Sequence, residues 1–220
     1  MKKIMLEEKY ALEYIKYSLL TCMKDSVEIL DFKYHHNTAY SNATSILKHG
    51  ILSMKSLSDS GIVYYSDKIL KNMSNIDSHV NGIDGISLCI TGLTDLGVNE
   101  DEWDPYNEHY VDFLIDDVDA YRSCINYGNE FITSKSISKD NIKSIDIRLL
   151  KYLKSIFDKK TFYSNDQAIN ILINRYNYLN EISKILLSEN LSIPLRENSS
   201  NNNRILDINK ISKFPKVKLK

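Results

Sequence analysis

The segment Tyr34–Gly50 reads YHHNTAYSNATSILKHG and has the clearest local pattern in the chain. In an extended strand, residues two apart lie on the same face and neighbours lie on opposite faces. His36 and Thr38 would therefore share one face, while His35 would lie on the other. Since the two adjacent histidines point apart in this reading, the pattern does not favour their joint binding of one metal ion.

The second half of the segment predicts a short helix. Ser41 is a residue type that caps helix N-termini, and the helix would bury Ala43, Ile46 and Leu47 on one side. Gly50 would end it, because glycine accepts the left-handed conformation common at helix C-termini. The segment thus predicts a strand followed directly by a helix.

Four further stretches predict strands in the middle of the chain. GISLCIT and YVDFLID alternate apolar and polar residues, and in the second Val111, Phe113 and Ile115 form the inward face. NEFITSKSI is also strand-like and is followed by the polar SKDN and then IKSIDI. Helical periodicity precedes these strands, from Leu6 to about Ile29, and follows them, from Leu149 to about Leu187. The expected fold class is α+β.

These patterns predict a division of the chain into four parts. They are an N-terminal helical segment (1–30), a β-rich core (31–148), a helical appendage (149–190), and a polar linker with a basic tail (191–220). The linker is expected at Glu197–Asn203, which reads ENSSNNN, and the tail is ISKFPKVKLK.

Composition narrows the functional class. With 28 basic and 29 acidic residues the formal charge is −1, so bulk charge does not attract the protein to nucleic acid or to an anionic membrane. Three cysteines are an odd number, which favours a reducing compartment over a disulfide scaffold. No apolar run reaches the roughly 18 residues of a membrane span, and the N-terminus lacks a signal-peptide pattern. We expect a cytoplasmic protein without a membrane partner.

Several common site types are disfavoured. No Cys or carboxylate completes a zinc-binding spacing around His35, His36 and His49, so we expect no metal site. Cys89 and Cys124 lack the surroundings of a reactive thiol and are expected as small core residues. The glycines form neither a P-loop nor a GxGxxG motif.

Three blocks taken together resemble a known superfamily. The first is HNTAYSNATSILKHGILS, the second is GISLCIT, and the third is NEFITSKSISKDNIKSIDI, led by Glu130. Their order and spacing resemble the ADP-ribosyltransferase superfamily. They are similar to the DarT-like DNA-modifying toxins and, more loosely, to the poly-ADP-ribose polymerases. The resemblance covers about residues 30 to 148, and both helical flanks lie outside it.

The resemblance implies a split β-sheet core that takes NAD as a substrate and transfers ADP-ribose to a macromolecule, with nucleic acid favoured over protein. Glu130 would be the catalytic carboxylate. His36, Thr38 and Ser87 would contact the dinucleotide, and Tyr64 or Tyr65 would stack on nicotinamide. The family also implies a toxin or phage-conflict setting with a possible antitoxin partner.

One departure and two alternatives stand beside this interpretation. Gly128 lies two residues before Glu130, so the paired acidic signature of the arginine-modifying toxins is missing. The first alternative is a non-catalytic binding module on the same fold. The second is a tRNA 2′-phosphotransferase-like enzyme, which shares the His-x-Thr but relies on further Arg and His residues. Between residues 31 and 148 the sequence contains two arginines, Arg122 and Arg148.

Overall fold

A computed structural model of the chain describes residues 3–24, 33–52, 86–90, 110–116, 118–122, 130–133, 136–159, 164–199 and 202–220. Within these ranges it contains five α-helices: α1 (Glu8–Cys22), α2 (Tyr40–His49), α3 (Leu149–Phe157), α4 (Asn165–Ser188) and α5 (Ile208–Ile211). The fold is α+β, as the sequence predicts. Tyr64, Tyr65 and Cys124 lie outside the described residues.

Eleven strands are described. They are β1 (Lys3–Leu6), β2 (Met23–Lys24), β3 (Tyr34–Ala39), β4 (Ile86–Ile90), β5 (Tyr110–Ile115), β6 (Tyr121–Arg122), β7 (Glu130–Thr133), β8 (Ile142–Ile147), β9 (Leu195–Ser199), β10 (Asn202–Leu206) and β11 (Lys216–Leu219). Nine of them form one sheet in the order β2-β10-β9-β8-β5-β3-β4-β7-β6. Only β8 and β9 run parallel in this sheet. The strands β1 and β11 form a separate parallel pair.

The core lies between the helices and the apolar positions of the central strands. Val111, Phe113 and Ile115 are all fully buried, which confirms the inward face predicted for this strand. The longest helix, α4, buries Leu172, Tyr176 and nine other residues along its length. Burial raises the pKa of the Tyr176 phenol well above its ordinary value, so this tyrosine stays neutral.

The strand and helix predicted for Tyr34–Gly50 are confirmed as β3 and α2. The helix begins at Tyr40, so Ser41 lies in its first turn instead of capping it. Gly50 adopts a φ of +81°, and its amide donates to the carbonyl of Ile46 at 2.7 Å. A Cβ atom at Gly50 would lie 2.4 Å from the carbonyl oxygen of Ile137. Glycine is therefore required by both conformation and space.

The N-terminal helix is shorter than predicted. It ends at Cys22, and the chain then enters β2, which pairs with β10 at the edge of the large sheet. The predicted C-terminal helical region is two helices, α3 and α4. Since β2, β9 and β10 join the central strands, the sheet crosses the boundaries proposed for the 31–148 core.

The polar linker predicted at Glu197–Asn203 is wrong for the residues described there. Glu197–Ser199 belong to β9 and Asn202–Asn203 to β10, and the two strands pair antiparallel. Their polar composition is typical of loops, but the neighbouring β8 and β2 complete their backbone pairing. The basic tail is also folded, because Lys216–Leu219 pair with β1 and the Asn177 side chain binds both backbone groups of Val217 at 2.9 Å.

Candidate functional site

The sheet brings the three sequence blocks of the predicted site side by side. β3 contains the two histidines, β4 contains Ser87, and β7 begins with Glu130. These strands are neighbours in the order β3-β4-β7, although long segments of chain separate them in sequence. Adjacency of this kind is set by the sheet, so local sequence patterns cannot establish it.

The pairing between β3 and β4 covers only one end of the two strands. It joins Tyr34 to Ile90 and His35 to Cys89. On their other sides, β3 pairs with β5 along all six of its residues and β4 pairs with β7 through four. Both strands continue beyond this end, past the last register pair that joins them. We call the stretch between β3 and β4 beyond that pair the opening, and His36 is its first residue on β3.

The register also shows which residues lie in one row across the strands. Glu130 pairs with Cys89, and Cys89 pairs with His35. His36 belongs to the next row, where it pairs with the buried Phe113. Because residues two apart share a face, Ser87 belongs to the same alternating set as Glu130, and His36 belongs to the other set. The register therefore places His36 and Glu130 in opposite sets, which face opposite sides of the sheet.

Thr38 has a local partner in the structure. It is 6% exposed, and its hydroxyl accepts a hydrogen bond of 2.9 Å from the side-chain amide of Asn42, itself 4% exposed. Asn42 lies in the first turn of α2, so the bond ties the strand to the helix that follows it. Thr38 thereby positions α2, in addition to the dinucleotide contact that the resemblance implies.

A buried ion pair lies further along the same sheet. Arg196 donates from Nε and from a terminal nitrogen to the two carboxylate oxygens of Asp146, at 2.8 and 2.6 Å, and the Ser144 hydroxyl donates to the same carboxylate at 3.0 Å. Asp146 also pairs in register with Asp112, which is half-buried. Asp112 pairs in turn with Asn37, which is two residues after His35, so the ion pair belongs to the same alternating set as His35.

Sequence patterns do not identify Arg196 and Glu197 as buried residues, because their polar segment resembles a linker. Glu197 is fully buried, and its two carboxylate oxygens accept hydrogen bonds from the backbone amides of Leu149 and Leu150, at 3.1 and 2.8 Å. It stabilises the N-terminus of α3, where a carboxylate is favoured by the helix dipole. A sequence signal for this strand lies just before it, where Leu191, Ile193 and Leu195 alternate with other residues.

The Cys22 thiol is a titratable group in the core. Burial raises the pKa of the Cys22 thiol, which keeps it protonated in the core.

Among the described residues, no group of three or more His, Cys, Asp or Glu side chains is placed to hold a metal ion. Within the same ranges, no helix has the length and apolar character needed to cross a bilayer.

Comparison with protein-family models, with curated proteins and with solved structures finds no match to this chain.

Proposed function

We propose that the protein is an NAD-dependent ADP-ribosyltransferase, with its site at the opening between β3 and β4. The observation that supports this most is the strand order β3-β4-β7, together with a β3–β4 register that covers only Tyr34 and His35 of β3. The resemblance in sequence requires the first, second and third blocks to meet at a split in the sheet. The strand order is compatible with the blocks meeting side by side.

In this proposal the reaction begins with cleavage of the bond between nicotinamide and ribose C1′. The bonding electron pair leaves with nicotinamide, and a cation develops at the ribose. Glu130 stabilises this charge, as carboxylates do in glycoside hydrolysis, and holds the ribose 2′-hydroxyl. A nucleophilic nitrogen or oxygen of the acceptor then bonds to C1′ and loses its proton.

The dinucleotide-binding residues are proposed from position and resemblance together. In this proposal His36, which belongs to the alternating set opposite to that of Glu130, reaches the dinucleotide through the opening and offers a ring nitrogen to the adenosine ribose. Ser87 follows from its place in the alternating set that contains Glu130. Thr38 contributes by holding α2 through Asn42. Tyr64 and Tyr65 remain candidates for stacking on nicotinamide by order in the sequence.

The acceptor class that we propose is a nucleic acid. Several C-terminal lysines are exposed on the folded surface and are able to contact phosphates: Lys210, Lys213 and Lys218. Lys216 and Lys220 are less suited, because they form ion pairs with Glu181 and Glu7. A cytoplasmic toxin or phage-conflict role, with an antitoxin partner, is the setting implied by the family.

The test is to incubate the protein with NAD labelled in its adenylate part and to separate DNA, RNA and protein. We expect label in the nucleic-acid pool with the wild type, and a reduction of at least about a hundredfold with Glu130→Gln, the scale at which loss of transition-state stabilisation appears. Glu7→Gln, at a glutamate whose side chain is 67% exposed, is the matched control. If no pool is labelled and NAD is not consumed, the transferase proposal is wrong.

A further inference from the structure

The outer side of α1 has a row of exposed side chains spaced as in a helix-pairing seam. Tyr10, Glu13, Tyr17 and Leu20 are separated by three, four and three residues. The exposed fractions of Tyr10, Tyr17 and Leu20 are 56%, 63% and 49%. Alternating spacings of three and four keep side chains on one stripe, where the knobs of a second helix can pack. We call these four residues the α1 stripe.

The stripe is distinct from the side of α1 that faces the core. That side consists of Ala11, Ile15, Leu19 and Cys22, which are all fully buried. A single exposed apolar residue is ordinary on a protein surface, whereas a continuous apolar patch marks an interaction site. Tyrosine is also among the residues enriched where proteins bind one another.

An exposed aromatic side chain of α3 lies beside one flank of the stripe. Phe157 is 49% exposed, and the Lys16 ammonium lies 5.8 Å from the centre of its ring. Lys16 follows the same flank of the stripe as Lys9, which is seven residues earlier and also exposed. On an α-helix, each of these lysines lies one position before a stripe tyrosine, where coiled coils place the charges that choose the partner. The opposite flank, at Tyr14 and Thr21, has no charged group.

These charges disfavour pairing with a second copy of the chain. In an antiparallel pair centred on the stripe, Lys16 would lie near Lys16 of the other copy. In a parallel pair in register, Glu13 would face its own counterpart. Like charges placed together at an interface cost several kcal/mol. A partner with acidic side chains along the lysine flank has neither conflict.

We infer that the α1 stripe binds an amphipathic helix of another protein, with apolar residues along its seam and acidic residues beside Lys9 and Lys16. Glu13 is the one charged position within the stripe. A polar residue at such a position fixes the register of paired helices. The partner helix therefore carries a lysine or arginine opposite Glu13. This interface is independent of the NAD site.

The test uses two synthetic helical peptides of equal length. Both have leucine along the seam and one lysine to meet Glu13, and they differ in flanks of glutamate or of lysine. Fluorescence anisotropy should show the acidic peptide binding at least tenfold more tightly, a difference of about 1.4 kcal/mol. The variant with Lys9→Glu and Lys16→Glu should reverse the preference. Lys48→Glu, at an exposed lysine on α2, is the matched control and should keep it.

A second variant tests the apolar part of the surface. Replacing Tyr10 and Tyr17 by serine should weaken binding of the acidic peptide at least tenfold and leave the thermal midpoint unchanged, since both side chains are exposed. The inference is overturned if neither peptide binds at about millimolar concentration, or if both bind equally. It is also overturned if single-stranded oligothymidylate displaces the acidic peptide, because the surface would then be a base-stacking site for nucleic acid.

Discussion

Asp146 and Arg196 form a bidentate ion pair on the sheet, and their side chains are buried, with only 3% and 6% of their surface exposed. They lie opposite each other on the parallel strands β8 and β9. The pair therefore joins the C-terminal hairpin to the centre of the fold, and the segment first interpreted as a linker becomes a structural part of it.

Replacing Arg196 by alanine should lower the free energy of unfolding by about 3–5 kcal/mol, because it leaves the Asp146 carboxylate buried without its cation. Chemical denaturation measures the loss. The double variant Asp146→Leu, Arg196→Met should recover most of it, since an apolar pair avoids the unpaired charge. A double variant no more stable than Arg196→Ala would contradict the burial argument.

Glu197→Gln should destabilise the protein by about 1–3 kcal/mol. The substitution replaces one of the two carboxylate oxygens that accept from the backbone amides at the start of α3 with an NH2 group, which cannot accept. Thermal denaturation followed by circular dichroism measures the change. Glu7→Gln serves as the surface control, with an expected change within about 0.5 kcal/mol. Equal effects of the two substitutions would show that the helix does not depend on Glu197.

Gly50→Ala should destabilise the protein by at least about 1–3 kcal/mol from the positive φ alone. The added Cβ atom would also lie 2.4 Å from the Ile137 carbonyl oxygen, so this carbonyl must move. The movement would disturb the hydrogen bond of 2.9 Å that the carbonyl accepts from the Ile51 amide. The thermal midpoint measures the result. An unchanged midpoint would mean that α2 does not end in this conformation.

Asp207 should stabilise the fold in a pH-dependent manner. Burial alone would raise the pKa of this carboxyl, but the hydrogen bond and charge of Lys24 and the amides of Lys210 and Asn209 lower it overall. A lowered pKa in the folded state means that the stabilisation is fully present above the unfolded value of about 3.9 and is lost as the pH falls through the folded value. The stability difference between wild type and Asp207→Asn should therefore shrink on acidification. A difference that stays constant from pH 7 to pH 2 would contradict this.

The two histidines give a further prediction about the site. If NAD lies in the opening between β3 and β4, His36→Ala should raise the KM for NAD about tenfold or more, because it removes the imidazole proposed to contact the adenosine ribose. His35→Ala should have the smaller effect, because the resemblance assigns no NAD contact to His35. Steady-state kinetics of NAD consumption compare the two. The reverse ranking would show that NAD contacts the face that His35 shares with Glu130 and Ser87, and would remove His36 from the site.

Local patterns predicted the elements that depend on neighbouring residues. The strand and helix around His36 follow from alternation, helical spacing and one glycine, and all three are properties of a short segment. The hairpin of β9 and β10 could not be predicted in this way. Glu197 and Arg196 are buried because of partners about fifty residues earlier, and nothing in ENSSNNN itself distinguishes a paired strand from a polar loop.

The same limit applies to the site. The three blocks of the site are found from the sequence, but the rows that they form across the sheet depend on strand register. A shift of one strand by one residue would move all of its side chains to the other face of the sheet. The alternation in YHHNTAY separates His35 from His36 correctly. Only the strand pairing shows that the row of Glu130 passes through His35 and that the β3–β4 register ends before His36.

Release of nicotinamide from NAD, measured with purified protein and single-stranded DNA, tests the central claim most directly. The account predicts release by the wild type that depends on DNA, a loss of at least about a hundredfold with Glu130→Gln, and full activity with Glu7→Gln. Release that persists undiminished in Glu130→Gln would contradict the assignment of the catalytic carboxylate. No release by the wild type with DNA, RNA or protein acceptors would contradict the transferase itself.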